Sequence, residues 1–444
     1  MRPRLLLIAY CCSPDGGSEQ GVGWTLAQLA AQQFDTTVVV EERKFAATIN
    51  DWLAENGPIE NLTFRFVPEK WWAHGMWATG LGYLSYRWWQ RRARRTAEDW
   101  HRQQPFDAVQ MGTIISFREP GNWLGLKHAD GREVPLIWGP VGGAQSYPEA
   151  FLSEAGPRAS FKERVRTALN RRQLRSGRVL HTLRGAHTVV AATRHTERVL
   201  SEVHDREYRM VSEITLGERK TAMPPRESAA DELRVLWSGL HEPRKCLSLL
   251  IRAVAKLPDD RPVRVRVLGD GEMRGRWQKL ARDLGVSDRF EWLGWMPHEE
   301  TARQYAWADV FAFTSVRDTT GTVILEALQA GLPVVTLDHQ GAADVITADC
   351  GIAVSPASID ETVKQLRDAL LRLAIDDALR CRLSAGAVRR ADAYRVASKS
   401  QQWQSVWSEV PGLSVGEGGV KFDQSADQTS HASSRDAELL EASA

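Results

Sequence analysis

Short apolar runs separated by longer amphipathic stretches set the rhythm of this chain. In the first half, residues 5–9, 36–40, 62–67, 108–111, 135–138 and 188–192 are strand-like, and the first of them reads as a buried strand. Residues 235–237, 263–268, 290–293, 310–314 and 334–337 repeat the scheme in the second half. Helical stretches lie between them, so the pattern predicts an α/β protein of two doubly wound sheets, whose ligands sit beyond the carboxyl ends of the strands. A chain of 444 residues has room for two such domains. The join is expected at residues 217–232, GERKTAMPPRESAADE, which are polar, contain proline and show no periodicity. The expected division is a first domain over 1–216, that linker, and a second domain over 233–395. A helical segment over 396–411 then carries Trp403 and Trp407, and a Gly/Ser/Asp/Gln-rich tail over 412–444 reads as disordered.

One helical stretch breaks the apolar rule. Residues 308–335, ADVFAFTSVRDTTGTVILEALQAGLPVV, predict a strand, a polar loop, a helix from Thr322 and a next strand. Gly331 followed by Pro333 supplies the helix stop. Glu326 sits inside the apolar helix, one turn from its start. Desolvating an ionised carboxylate costs several kcal/mol unless something hydrogen-bonds it, so Glu326 calls for a partner, either a ligand or a salt-bridging neighbour. Gly321 and Thr322 stand at the helix N-terminus, where free N–H groups and the dipole favour an anion.

Composition narrows the classes. Charge is balanced, 57 Lys+Arg against 56 Asp+Glu, which argues against nucleic acid as the partner. The five cysteines lack CxxC spacing and read as reduced thiols, not as a disulfide framework or zinc site. No run approaches the length of a membrane span, so a cytoplasmic protein, soluble or peripheral at the inner face of the membrane, is expected. Residues 71–102 combine Trp71, Trp72, Trp77, Trp88, Trp89 and Trp100 with six arginines, which suits a membrane interface or an anionic acceptor. The helical spacing of Trp77, Leu81, Leu84 and Trp88 equally suits a core-facing stripe. A second basic stretch, Arg158 to Arg178, is poorer in aromatics and reads as a solvated helix face.

Asp318 precedes Glu326 with the spacing D-x7-E. This resembles the E-x7-E element of retaining glycosyltransferases of GT-B architecture, two Rossmann-like domains facing each other across a cleft, and especially glycosyltransferase family 4. The resemblance implies that Glu326 holds the ribose hydroxyls of a nucleotide-sugar and that Asp318 approaches the sugar; a carboxylate has acceptor sites enough for a diol. The chain departs from the family in its first acid, Asp for Glu, and in Thr319-Thr320, where Gly-Phe is usual. WSGLHEPRKCLSLLIRA, from Trp237, resembles the segment in which cations grip the donor diphosphate: Lys245 matches the family lysine, Arg244 stands beside it, and Leu240 and Cys246 replace an arginine and a glycine. Such cations would stabilise the charge growing on the leaving group.

The resemblance extends to the glycine turns. SPDGGSEQGVGW, which contains Gly16 and Gly17, is like the GSE-x-GVGW loop of one bacterial branch of the family. Its missing side chains let backbone N–H groups approach a phosphate or sugar. The turns at Gly239, Gly269 and Gly294 match loops around the donor, and Thr320 joins Gly321 and Thr322 on its phosphate side. On the acceptor side the family often has histidine where Gln110 or Met111 stands, and Gly142 and Gly143 are candidate lining residues. The family also implies that the last helix returns to the first domain. No D-x-D ends a strand, so no metal is called for, and no cofactor beyond the nucleotide-sugar substrate. The expected function is metal-independent, retaining sugar transfer to a hydroxyl acceptor, a carbohydrate or lipid-linked one, in bacterial surface polysaccharide or glycolipid synthesis. The alternatives are a catalytically silent nucleotide-sugar-binding protein or a GT-B epimerase. A nicotinamide oxidoreductase is disfavoured because GxGxxG is absent.

Overall fold

The structure, a computed structural model, describes residues 2–16, 18–72, 76, 81–217, 232–260 and 262–413. Gly17, Trp77, most of the expected linker and the expected tail lie outside the described residues. The chain forms two compact units. One comprises the residues up to Ala144, Asn170–Gly217 and those from Val396 on; the other comprises Gln145–Leu169 and the residues from 232 to 395.

The first unit is built on a parallel sheet of β1 (Arg4–Ile8), β2 (Asp35–Glu41), β3 (Leu62–Val67), β4 (Ala108–Met111), β5 (Leu136–Val141), β6 (Thr188–Ala191) and β7 (Arg209–Met210), in the order β3-β2-β1-β4-β5-β6-β7. The second holds β8 (Leu233–Ser238), β9 (Val263–Leu268), β10 (Phe290–Gly294), β11 (Val310–Phe313), β12 (Val334–Leu337) and β13 (Gly351–Val354), in the order β10-β9-β8-β11-β12-β13. Every expected strand is present; β7 and β13 are additional. In each sheet the winding reverses once, between β1 and β4 and between β8 and β11. Loops leaving adjacent strands diverge at such a switch point, which makes room for a ligand at their carboxyl ends.

Two packing results differ from the sequence reading. The first domain was expected to run unbroken to residue 216, yet Tyr147, Phe151, Leu152 and Ala155 are buried in the core of the second unit. Their apolar area is removed from water there, so Gln145–Leu169 packs with that unit although its chain neighbours belong to the first. In the helix Gly82–Gln103 the buried positions include Ser85, Tyr86, Trp89, Ala93 and Ala97, whereas Leu84, and Leu81 just before the helix, are exposed. The core face thus runs one position on from the Leu81, Leu84, Trp88 line, through Gly82, Ser85 and Trp89.

The helix Val396–Ser408 belongs to the first unit. Its Trp407 is fully buried, meets Phe34 edge-on with ring centroids 5.2 Å apart, and donates its indole N–H to the Gln110 side-chain oxygen at 2.8 Å.

Candidate functional site

The loops following β8 and β11, which flank the switch point of the second sheet, are joined by side-chain and backbone hydrogen bonds to the main chain of Arg244 and Lys245. The Trp237 indole donates to the Thr314 hydroxyl at 3.0 Å, and that hydroxyl donates to the Lys245 carbonyl at 2.8 Å. The Ser315 hydroxyl and the Val316 N–H donate to the Arg244 carbonyl at 3.3 and 2.9 Å. These bonds fix the main chain of Arg244 and Lys245 and leave their side chains to reach the strand ends.

Both side chains converge on one carboxylate. Lys245 Nζ lies 2.5 Å from Asp318 Oδ2, and an Arg244 guanidinium nitrogen lies 3.3 Å from the same oxygen. Burial alone would push the Asp318 carboxyl up, but Lys245 first and Arg244 second pull it down to about 2. Arg244 also pairs with Glu242 at 2.6 Å, and the Asp318 N–H donates to the Gln340 side chain at 3.0 Å. Gln340 holds a positive φ of 51° at a strand-to-helix turn and donates its amide to the Ser146 carbonyl at 2.9 Å. It therefore ties the Asp318 loop to the segment that joins this unit from the first half of the chain. Nothing in the sequence pattern singled out Gln340.

Cys246, which stands where the resembled family has glycine, adopts the left-handed conformation with φ and ψ both 43°. That backbone costs a side chain roughly 1–2 kcal/mol, which the surroundings must offset. The thiol is buried, lies 3.3 Å from the Tyr147 hydroxyl, and is pushed up to about 12 by burial. It is a structural thiol, not a reactive one.

Three of the candidate glycines meet at the carboxyl ends of β8, β9 and β10. The Gly269 N–H donates to the Gly294 carbonyl at 2.9 Å, and a Cβ on Gly269, whose φ is 94°, would lie 2.1 Å from the Gly239 carbonyl oxygen. Glycine is required there by backbone contact. Beside them, His241 is buried among Trp237, Trp277 and Trp292, with centroids 5.3 to 5.9 Å from its ring. Burial pushes it down to about 4, so it is neutral at physiological pH.

The helix Thr322–Gln329 begins after Gly321, whose φ is 83° and whose added Cβ would lie 2.9 Å from the Phe313 ring. Thr320 is buried, packed where a Cβ on Gly341 would strike the Thr319 carbonyl. Glu326 is half-buried, not enclosed, and it has a protein partner that the sequence did not indicate: the Tyr305 hydroxyl donates to Glu326 Oε2 at 2.8 Å. Tyr305 comes from the helix His298–Trp307, and burial followed by the Glu326 charge pushes its hydroxyl pKa upward. The salt bridge considered for Glu326 is therefore replaced by a neutral donor.

In the first unit the corresponding switch point is closed by local bonds. The Cys11 N–H donates to the Thr113 hydroxyl at 3.2 Å, and the Ile115 N–H donates to Glu19 Oε1 at 2.7 Å, so the turn containing Gly16 is joined to the loop after β4. Gly142 exchanges backbone bonds with Ile115 and Phe117 at 2.6 and 3.0 Å, and Gly143, with φ of 76°, lies against Ser116. Gln110 has no exposed surface, and its amide is taken up by Trp407 and, at 3.5 Å, by the Gly139 carbonyl. The expectation that it lines an acceptor site is corrected: strand burial turns its amide inward, where it holds the last helix.

Comparison with known proteins bears on the fold and on the second unit. Residues 218–382 match the family model for glycosyl transferases group 1. A lipopolysaccharide core biosynthesis glycosyltransferase, LpsE of Rhizobium meliloti, is 39% identical over 147 residues, 33% of this chain and 42% of that protein. A D-inositol 3-phosphate glycosyltransferase of Corynebacterium efficiens is 33% identical over 187 residues, 40% and 42% of the two chains. The chain thus spans less than half the length of these curated relatives. Among solved structures, HepE of Anabaena in complex with UDP aligns with a TM-score of 0.56 at 16% identity, covering 91% of this chain and 99% of the other. Sucrose-phosphate synthase of Thermosynechococcus elongatus gives 0.58 at 17% identity, covering 92% and 99%. At such identity the likeness carries the fold alone, and the fold is GT-B. Over residues 218–382, the greater part of the second unit, the chain is similar to the glycosyl transferases group 1 family.

Proposed function

We propose that this protein is a retaining glycosyltransferase that moves a sugar from a nucleotide-diphosphate-sugar to a hydroxyl of a carbohydrate or lipid-linked acceptor, in the making of a bacterial surface polysaccharide or glycolipid. The observation that carries this reading is the convergence of Lys245 and Arg244 at the strand-end switch point of a group 1 unit. Asp318 is their counter-ion. The donor diphosphate takes that place, and the N–H groups at Gly321 and Thr322 add to its hold. Glu326, oriented by Tyr305, keeps acceptor capacity for both ribose hydroxyls.

The bond from the sugar C1 to the diphosphate oxygen breaks with its electron pair leaving on the diphosphate. Arg244 and Lys245 stabilise that charge. The acceptor oxygen bonds to C1 on the same face and passes its proton to the departing diphosphate oxygen. The chemistry is positioning and electrostatics, with no metal required by the residues present. On the first unit, Trp71 and Trp72 are exposed, Trp72 meets Trp88 at 4.8 Å between centroids, and Lys70 lies 5.5 Å over the Trp72 ring. That surface suits a bilayer interface close to a lipid-linked acceptor.

The test is a panel of nucleotide-sugars screened for thermal stabilisation and for slow release of nucleoside diphosphate. A matching donor raises Tm by mass action, and Glu326→Ala removes that shift together with turnover. Stabilisation of Glu326→Ala equal to that of the wild type would end the ribose role; donor binding with no release of nucleoside diphosphate would favour the silent binding protein.

A further inference from the structure

The helix Pro157–Leu174 has two unlike faces. Ala159 packs on the core of the second unit, and Glu163 pairs with Arg317 at 3.0 Å. These positions define its inward side. On the other side Phe161 is 68% exposed, Val165 42% and Leu169 50%. Their i, i+4, i+8 spacing aligns the three side chains along roughly 12 Å of helix. Single exposed apolar residues are ordinary, whereas a continuous exposed line of three marks a surface made to be covered.

The charges beside that line say what covers it. Arg158, Lys162, Arg164, Arg171 and Arg172 are exposed, and Glu163, the one acid between residues 157 and 178, is turned inward to Arg317. The outward face therefore carries apolar groups and cations and no acid. A second copy of the chain would bring like charges together across the contact. A strand of nucleic acid would satisfy the cations and leave the apolar line in water. An anionic lipid surface satisfies both: phosphates take the cations, and the acyl boundary takes Phe161, Val165 and Leu169. The helix is too polar to cross a bilayer, and no helix among the described residues is long and apolar enough to do so.

We propose that the helix Pro157–Leu174 is an interfacial helix that docks this protein on an anionic bilayer. Phe161, Val165 and Leu169 belong to the same unit as the cation pair, and Glu163 holds Arg317, the residue before Asp318. The proposal goes beyond the transfer reaction and does not depend on it.

The full chain is sedimented with vesicles of phosphatidylglycerol and phosphatidylcholine, and with phosphatidylcholine alone, over a range of salt. The wild type binds the anionic vesicles, less so as salt rises, and not the neutral ones. The triple variant Phe161→Ser, Val165→Ser, Leu169→Ser lowers the partition by roughly tenfold or more, since interfacial burial of three apolar side chains is lost. Its Tm stays at the wild-type value because the changes are on the surface. Trp71→Ser with Trp72→Ser, run in parallel, separates the two surfaces. Failure of the wild type to bind, or wild-type binding by the triple variant, overturns the proposal. So does a wild-type dimer that the triple variant converts to a monomer, which would make the occupant a second copy. None of these readouts contains donor, so they stand or fall apart from the transferase reading.

Discussion

At the switch point of the second sheet, two cations lean on one carboxylate at the ends of loops held by backbone bonds; at that of the first, a strand glutamine is locked under a tryptophan and the neighbouring loops bond to each other. Lys245 and Arg244 keep charged side chains paired with Asp318 and Glu242. Gln110 is satisfied by Trp407 and Gly139 and has nothing left to offer. A polar group at a strand end is a candidate for chemistry when its surroundings fix its backbone and leave its side chain an exchangeable partner. When the side chain itself is consumed by the fold, the residue is structural.

The sharpest way to break this contrast is to truncate one residue from each side. Lys245→Ala should lower turnover about 10²–10³-fold, the usual loss when one preorganised donor to a developing oxyanion is removed. Gln110→Ala should leave donor affinity and turnover near wild type and cost about 1–3 kcal/mol of stability, because the buried Trp407 N–H loses its acceptor. Nucleoside diphosphate release and urea unfolding read the two effects. The contrast fails if Gln110→Ala cuts turnover like Lys245→Ala without shifting the unfolding midpoint.

A smaller effect separates two groups within the second unit by pH. His241 is pushed down from 6.5 to about 4, so the unfolded chain takes up its proton before the folded one does. The stability it contributes is complete above pH 6.5 and is lost as pH falls from 6.5 through 4. Asp318 is pulled down from 3.8 to about 2, so its contribution is complete above 3.8 and is lost as pH falls from 3.8 through 2. His241→Phe should flatten the upper window, and Asp318→Asn the lower. Urea midpoints measured across both windows test this, and an unchanged slope between pH 6.5 and 4 in His241→Phe would refute the account of its burial.

The strands were legible as short β-prone runs between helical stretches, some buried on both faces and some, such as β3 and β9, alternating with polar positions; β7, two residues long, is too short to stand out. Arg244, Lys245 and Asp318 were legible because a motif places them on loops at strand ends. What escaped the sequence depends on neighbours far along the chain. Residues 145–169 carry no sign that Phe151 and Leu152 pack in the second core. Phe161, Val165 and Leu169 have the spacing of a core stripe and face water instead, because Ala159 and Glu163 claim the inward side. Gln340 and Tyr305 act through contacts that only the fold creates.

Tyr305 supplies the finest test of the comparison, because it asks whether Glu326 belongs with Lys245 or with Gln110. The Tyr305 hydroxyl occupies one acceptor position of a half-buried carboxylate, whereas Trp407 and Gly139 engage both ends of the Gln110 amide. If Glu326 works on a ligand, the hydroxyl orients it without consuming it. Tyr305→Phe keeps the ring against Phe311, at 5.8 Å between centroids, and removes the hydroxyl that bonds Glu326. Losing a hydrogen bond to a carboxylate worth about 1–1.5 kcal/mol should weaken donor binding roughly five- to tenfold while leaving turnover at saturating donor within about twofold. A purely structural pair would behave otherwise: Tyr305→Phe would lower the unfolding midpoint and leave donor affinity where it was, and Glu326 would then join Gln110 on the structural side of the molecule.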